Sequence, residues 1–426
     1  MSTPSSVKGW CPGARRPMQS GDGLIVRIRP YGGSLPVASL SVLAGAASRF
    51  GNGQIDLTRR ANLQIRGVTE LALEPLWDAL ASLGLLDDSA EAEAIRNVAV
   101  NPLTGIDPTE IIDVRPMAQA LASQLAANAD LQALPGKFAF VIDGGGLLPL
   151  AELAADVRLE ARREGADIFV AVGVATTHGV AWLAAAAASE AAEIAVQIAR
   201  AILARGGATR AHALSLQAVE AIKAELGLPK ILPNVESSDD ARPRRGLLAL
   251  GDKRYVVGLG AAFGRIEGGT LASFAEELAR LGVTDIRLSP WRTVYAKVGN
   301  RADGETLIAA GRALGLVVDD ADPQVRIDAC SGAGCCNATV LPTHDHGRLL
   351  AELAARAGFT GTVHVSGCPK GCARSAAADL VLIGTGDSYR VVRNGTVRDE
   401  PAGAFAASEI GTKGIELLTN QAAVHA

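Results

Sequence analysis

The residues with the most chemistry to offer are six cysteines, five of them gathered in two short stretches near the C-terminus. The first reads Cys330-Ser-Gly-Ala-Gly-Cys-Cys336 and the second Cys368-Pro-Lys-Gly-Cys372, so five residues separate the outer cysteines of one loop and three those of the other. The outer cysteines offer four thiolates in two pairs, thirty-one residues apart. Thiolates in such numbers are the ordinary ligands of a 4Fe-4S cluster. Gly332, Gly334, Gly367 and Gly371 relieve crowding where backbone must wrap a bulky group, and they bare amides toward its sulfides. Structural zinc prefers knuckles of roughly two to four intervening residues, so a zinc site is the second reading. Both pairs stand in glycine-rich loops rather than in apolar periodic segments, which argues against inert buried thiols. Cys335 leaves the first loop ambiguous by one residue, and Cys11, alone near the N-terminus, reads as an ordinary packed or exposed thiol.

A second group of residues suits anions. Alternation along a strand from Leu24 to Pro30 puts Arg27 and Arg29 on one face and Val26 and Ile28 on the other. On the next apolar stretch Arg60, Asn62, Gln64 and Arg66 likewise share a face. Guanidinium groups bind carboxylates bidentately and stay charged, so this surface fits a polycarboxylate ligand. The competing reading is a solvated sheet face. The histidines at 178, 212, 344, 346, 364 and 425 form no recognisable facial triad with carboxylates. His344 and His346 flank Asp345 in a polar stretch that reads as a solvated helix entry. Gly258-Leu-Gly260 with Gly264 lacks the spacing of a dinucleotide fingerprint, so an external reductase or ferredoxin is expected to deliver electrons.

These residues need a scaffold, and 426 residues suffice for two to four compact units. A net charge of -4 removes the footprint of a general nucleic-acid binder. The N-terminus shows no apolar leader, and the Ala-rich stretch Val180 to Leu203, interrupted by Ser189, Glu190, Glu193, Gln197 and Arg200, reads as a half-buried helix. A cytoplasmic protein without membrane or nucleic-acid partners is expected. Leu24 to Thr58 overlays Tyr255 to Ser289 without a gap at an offset of 231 residues, matching Gly33 with Gly264, Leu40 with Leu271, Arg49 with Arg280 and Ile55 with Ile286. The order of strand, glycine turn, helix, glycine stop and strand also repeats, so two β-α-β half-units are expected. Phe138 to Gly146 reads as a buried strand entering a glycine turn and opens an α/β segment that reaches about Leu232. Glu236 to Arg245 reads as a linker. Val325 to Asp328 and Thr362 to Val365 read as strands entering the cysteine loops, with a helix at Gly347 to Ala357. The expected units are 1–88, 89–235, 236–318 and 319–426.

This layout and the paired cysteine loops resemble the siroheme-dependent sulfite and nitrite reductases over most of the chain. The resemblance implies an α+β architecture in which two ferredoxin-like half-domains alternate with two larger domains. It also implies a 4Fe-4S cluster on Cys330, Cys336, Cys368 and Cys372, with Cys336 preferred over Cys335. Arg27-Ile-Arg-Pro-Tyr-Gly-Gly33, Leu57 to Gly67, and Arg96-Asn-Val98 with Pro102 and Gly105 are similar to the segments that present arginines to a tetrapyrrole and its small anion. Where the reductases read Lys-Phe-Lys, this chain reads Lys137-Phe138-Ala139, so one anion-binding lysine is gone. Gly9-Trp-Cys-Pro-Gly-Ala14, Asp22-Gly-Leu24 and the Arg-Ala-Asn-Leu-Gln strand instead resemble the precorrin-3B synthase branch. That likeness implies oxygen-dependent hydroxylation of precorrin-3A with lactone closure, a 4Fe-4S cluster and a further non-haem iron. The substrate-binding set would be Arg27, Arg29, Arg60, Asn62, Gln64, Arg66 and Lys137. Siroheme would belong only to the reductase alternative.

Overall fold

The computed structural model describes residues 11–206, 210–228 and 243–422, with side chains to 419. Gly9, Trp10, Leu232, linker positions 236–242 and His425 lie outside the described residues.

Among the described residues the strands form four sheets of five. The first sheet sets Met18–Ser20, Gly23–Ile28, Leu63–Val68 and Gln54–Leu57 side by side, all antiparallel. Period-two alternation turns Val26, Ile28, Ile55, Leu63 and Ile65 toward a core. There they meet the helix Val37–Phe50, whose Leu40, Leu43, Ala44 and Ala47 recur at helical core spacing. The third sheet repeats the plan with Gly246–Gly251, Arg254–Gly260, Thr293–Val298, Asp285–Leu288 and the helix Gly268–Arg280. The 231-residue offset holds in backbone torsions well past the sequence match. Ala61 at φ 53° recurs as Arg292 at 56°, Gly32 at 59° as Phe263 at 56°, and Gly84 at 66° as Gly315 at 73°. Non-glycine residues adopt such angles at a cost, so their recurrence marks a shared turn rather than local preference.

The two half-units, which read in sequence as units in series, are interlocked. Each sheet is completed by a strand from the other copy. Arg265–Glu267 pairs with Gln54–Leu57, setting Arg265 opposite Asp56, and Ser34–Pro36 pairs with Asp285–Leu288, setting Ser34 opposite Arg287. The exchanged strands satisfy backbone groups along an edge that is apolar at Ile55 and Ile286. One continuous core results.

A second duplication has no counterpart in the sequence match. The middle domain runs Val98–Val100, Phe140–Asp143 and Val157–Glu164 in parallel, then adds Asp167–Thr176 and Gly179–Ala186 antiparallel. The C-terminal domain repeats this order with Ile327–Ala329, Val363–Ser366, Ala378–Thr385, Ser388–Gly395 and Gly403–Ala406. Parallel neighbours need a crossover, supplied by the helices Arg115–Ala127 and Thr343–Ala357. The fold is α+β with two kinds of unit alternating.

Four local expectations change. Val180 to Ala186 is strand rather than helix, because pairing with Asp167–Thr176 overrides alanine's helical preference; only Ala191–Leu203 is helical. Arg60 and Asn62 lie in a tight turn and not on the strand, which begins at Leu63. The Thr58 hydroxyl accepts from the Arg60 and Asn62 amides at 3.3 and 3.1 Å, and the Thr58 amide donates to the Asn62 carbonyl at 2.9 Å. Val325 and Arg326 end a 3-10 turn opened by Pro323, with the Asp322 carboxylate accepting from the Gln324 amide at 2.9 Å, so the strand starts at Ile327. The helix expected from Gly347 begins at Thr343 and takes His344 and His346 into its first turn. Among the described residues no helix is long and apolar enough to cross a membrane.

Candidate active site

Ile327–Ala329 and Val363–Ser366 are adjacent and parallel, so the loops leaving their carboxyl ends emerge side by side. The cysteines stand in these two loops. The Cys330 amide donates to the Val365 carbonyl at 3.2 Å, and the Gly367 amide donates to Cys330 Sγ at 3.2 Å. Burial, then the surrounding thiols of Cys368, Cys330 and Cys336, push the Cys372 thiol upward. The four thiols therefore share one locality. Gly332 takes φ 70°, and a Cβ there would lie 2.5 Å from Thr343 Oγ1, so only glycine lets the first loop close on the helix. Cys335 points the other way, buried, with Sγ 3.4 Å from Arg265 Nη1 and 3.6 Å from Gln54 Oε1. This supports Cys336 as the companion of the other thiols. Among the described residues no three His, Cys, Asp or Glu side chains converge on a single ion. Four thiolates are the donor set that a 4Fe-4S cluster takes, one to each iron.

The first cysteine loop is fastened to the first half-unit through the Cys335 carbonyl. It accepts from the Gly21 amide at 3.2 Å, Ser20 Oγ at 2.7 Å and Arg66 Nη2 at 3.0 Å. Arg66 in turn holds Asp22 bidentately at 2.9 Å and Asp56 at 3.1 Å, and Arg265 holds Asp56 at 2.8 Å. Burial alone would raise the Asp56 carboxyl, but Arg265 and Arg66 keep it below its usual range. Asp328, two residues ahead of Cys330, binds Arg59, Arg374 at 3.1 Å and Arg292 at 3.5 Å. Neither Arg59 nor Asp328 stood out in the sequence; the signal was a lone carboxylate inside an apolar strand beside the cysteine loop.

The expected anion face divides into two groups. Arg29 and Arg66 are spent on the protein itself. Arg29 donates to the Glu93 and Pro12 carbonyls and pairs with the Glu93 carboxylate at 3.8 Å, with both side chains 3% exposed. Among the described residues Arg27, Arg60 and Lys137 have no carboxylate partner, and Asn62 and Gln64 stand beside them. Burial pushes Arg27 down to about 10; the Gln64 amide oxygen accepts from its Nε and Nη2 at 3.2 and 3.0 Å, and the Cys11 thiol lies within hydrogen-bonding range. Arg60 donates to the Lys137 carbonyl at 3.4 Å while its neighbour Arg59 reaches Asp328. The turn thus forks, one arginine toward each large domain.

Beside that turn lies a cavity of about 250 Å³ whose lining includes Arg29, Arg60, Asn62, Arg96, Ala139 and Phe140. Four of its five arginines have dedicated carboxylates. Besides Arg29, Arg96 pairs with Asp87 at 2.6 Å under the Tyr31 ring, Arg115 with Asp113 at 2.6 Å, and Arg287 with Asp285 at 3.0 Å. Asp87 and Glu93 escaped sequence reasoning; the acidic run ahead of Arg96 was their only trace. The histidines are not solvated as expected. His346 Nδ1 lies 2.8 Å from the Tyr389 hydroxyl, and burial, helped by Arg265, pushes His344 down to about 3.

Known proteins fit this geometry. The nitrite/sulfite reductase ferredoxin-like half domain matches residues 16–83, and the nitrite and sulphite reductase 4Fe-4S domain matches residues 91–205. The second match falls on the middle domain, which has no cysteine; the cysteines stand in the later sheet of the same strand order. A precorrin-3B synthase from Sinorhizobium sp is 33% identical over 419 residues, covering 93% of this chain and 85% of that protein. A ferredoxin–nitrite reductase from Synechococcus elongatus is 25% identical over 399 residues, covering 87% and 77%. The solved structure of the Mycobacterium tuberculosis NirA protein shares the fold, with a TM-score of 0.74 at 21% identity, covering 91% of this chain and 79% of that one. The chain therefore belongs to the precorrin-3B synthase family, an oxidoreductase branch of the nitrite and sulfite reductase superfamily.

Proposed function

We propose that this chain converts precorrin-3A to precorrin-3B in aerobic cobalamin biosynthesis, hydroxylating a meso carbon with dioxygen and closing a lactone. One oxygen atom enters the substrate and the other leaves as water, which takes two electrons from an external donor and two protons. The observation that carries this reading is the charge state of the cavity beside the Arg60 turn. With Arg29 and Arg96 already paired and Ala139 in place of a cation, it offers little to sulfite or nitrite but suits an uncharged co-substrate.

Arg27, Arg60 and Lys137 would hold the carboxylates of the tetrapyrrole, with Gln64 fixing the Arg27 guanidinium and Asn62 closing the turn under Arg60. A cluster on Cys330, Cys336, Cys368 and Cys372 would supply electrons singly. The test is to give the reduced protein precorrin-3A under isotopically labelled dioxygen and weigh the product. Label in the product supports the reading. Brisk anaerobic sulfide or ammonia formation by protein carrying stoichiometric siroheme would overturn it in favour of a reductase.

A further inference from the structure

The turn of the second half-unit borders a second cavity of about 250 Å³, on the C-terminal domain, corresponding to the first cavity on the middle domain. The first cavity nearly balances its charge, and the second does not. Six arginines line it, at positions 59, 244, 245, 292, 326 and 374, and among the described residues their carboxylate partners are only Asp328, Asp320 and Glu152. Asp328 alone serves Arg59, Arg292 and Arg374. Among the described residues Arg326 has no carboxylate partner, and Arg245 Nε is buried with no hydrogen-bond acceptor. Three partly buried guanidiniums around one carboxylate repel one another, a cost that a bound anion would offset. None of Arg27, Arg60 and Lys137 lines this cavity, so the proposed reaction leaves the surplus unexplained.

We propose that the second cavity binds a small oxyanion bearing two or more charges, phosphate or carboxylate in kind and of pyrophosphate or citrate size. The ring of Trp291, under the Arg244 guanidinium at 4.5 Å, walls one side, and Arg292 and Arg374 face the anion from the half-unit and from the end of the second cysteine loop. A whole tetrapyrrole exceeds this volume; one of its acid arms does not.

The experiment is calorimetric titration of the full-length, iron-loaded protein with inorganic pyrophosphate and, separately, citrate at fixed ionic strength. Saturable one-to-one binding with a rise in Tm is expected. Arg326→Gln, which breaks no ion pair, and Arg292→Gln should each weaken it by about tenfold, the order of one charge-assisted hydrogen bond, while Arg115→Gln in the first cavity changes nothing. An octacarboxylate porphyrin distinguishes the sources: competition assigns the site to an acid arm of the substrate, and independent binding of both assigns it to a free anion. Absence of saturable binding, or full affinity in Arg326→Gln and Arg292→Gln alike, overturns the proposal and leaves the synthase reading untouched.

Discussion

The outer faces of the two half-units differ at equivalent positions, and the difference separates what duplication supplies from what function needs. Where the first copy carries Ile25, Arg27 and Arg29, the second carries Val256, Gly258 and Gly260; Gln64 becomes Tyr295. The Tyr295 ring fills the space over Gly258, where a Cβ would sit 2.8 Å from Cε1, and its hydroxyl donates to the Arg244 carbonyl at 2.9 Å. Leu103 and Leu148, from loops of the middle domain, complete a small apolar cluster with Leu250, Val256 and Tyr295. The first face is polar and meets the cysteine loop; the second is sealed. The larger domains show the same division. The middle domain ties its two equivalent loops with Asp143, which accepts from the Leu150 amide at 2.6 Å, the Gly145 amide at 3.0 Å and Asn101 Nδ2 at 3.2 Å. In the C-terminal domain thiolates stand there instead. Fold and site are separable: one scaffold carries a polar face or a thiolate loop in one copy and a sealed face or a hydrogen-bonded loop in the other.

The contrast breaks most completely at the thiolates. Cys330→Ser, Cys336→Ser, Cys368→Ser or Cys372→Ser is expected to abolish iron-sulfur absorption and loosen the C-terminal domain, whereas Cys335→Ala keeps its colour. Bleaching by Cys335→Ala with retention in Cys336→Ala would shift the register of the first loop. Next comes Arg66→Ala, which takes the arginine from the buried Asp22 carboxylate, leaves Asp56 to Arg265 alone and removes one of three donors to the Cys335 carbonyl; about 3–5 kcal/mol should be lost in chemical denaturation. Tyr295→Gln, which writes the first copy's residue into the second, should cost about 2–4 kcal/mol through the cavity it opens and should create no second tetrapyrrole site by titration.

Arg27→Ala or Arg60→Ala should weaken tetrapyrrole binding by about 1.5–3 kcal/mol with absorption intact. Unchanged affinity in both would return these arginines to a structural role. The smallest effect sits at His344, packed on Phe263 of the second copy and beside Asp56 of the first. The unfolded chain protonates it near 6.5 and the folded chain only near 3, so the unfolded state binds more protons in that window and stability falls as pH drops through it. One pH unit below the ordinary value the loss is about 1.4 kcal/mol, and His344→Gln should flatten the pH dependence of Tm by that amount.

Local signals were readable in the sequence. The cysteine loops depend on spacing within a few residues, and the first repeat on an ungapped overlay. Partners were not. Arg59 meets Asp328 across 269 positions and Arg29 meets Glu93 across 64, so which arginines of a face are already occupied depends on tertiary folding. The second duplication preserves strand order rather than residues, and the exchanged strands are three residues each, too short for any periodicity to announce.

Those exchanged strands set a schedule for synthesis. Gln54–Leu57 emerges early, yet its neighbour Arg265–Glu267 follows more than two hundred positions later. At ribosomal speeds of about 5–20 residues per second, that edge waits roughly 10–40 seconds with its amides and carbonyls uncovered. During this interval the nascent chain resembles a sheet with a missing strand, prone to pair with another nascent copy. Any fragment ending before the second half-unit keeps that edge permanently, so the first half-unit cannot be expressed alone as a closed sheet.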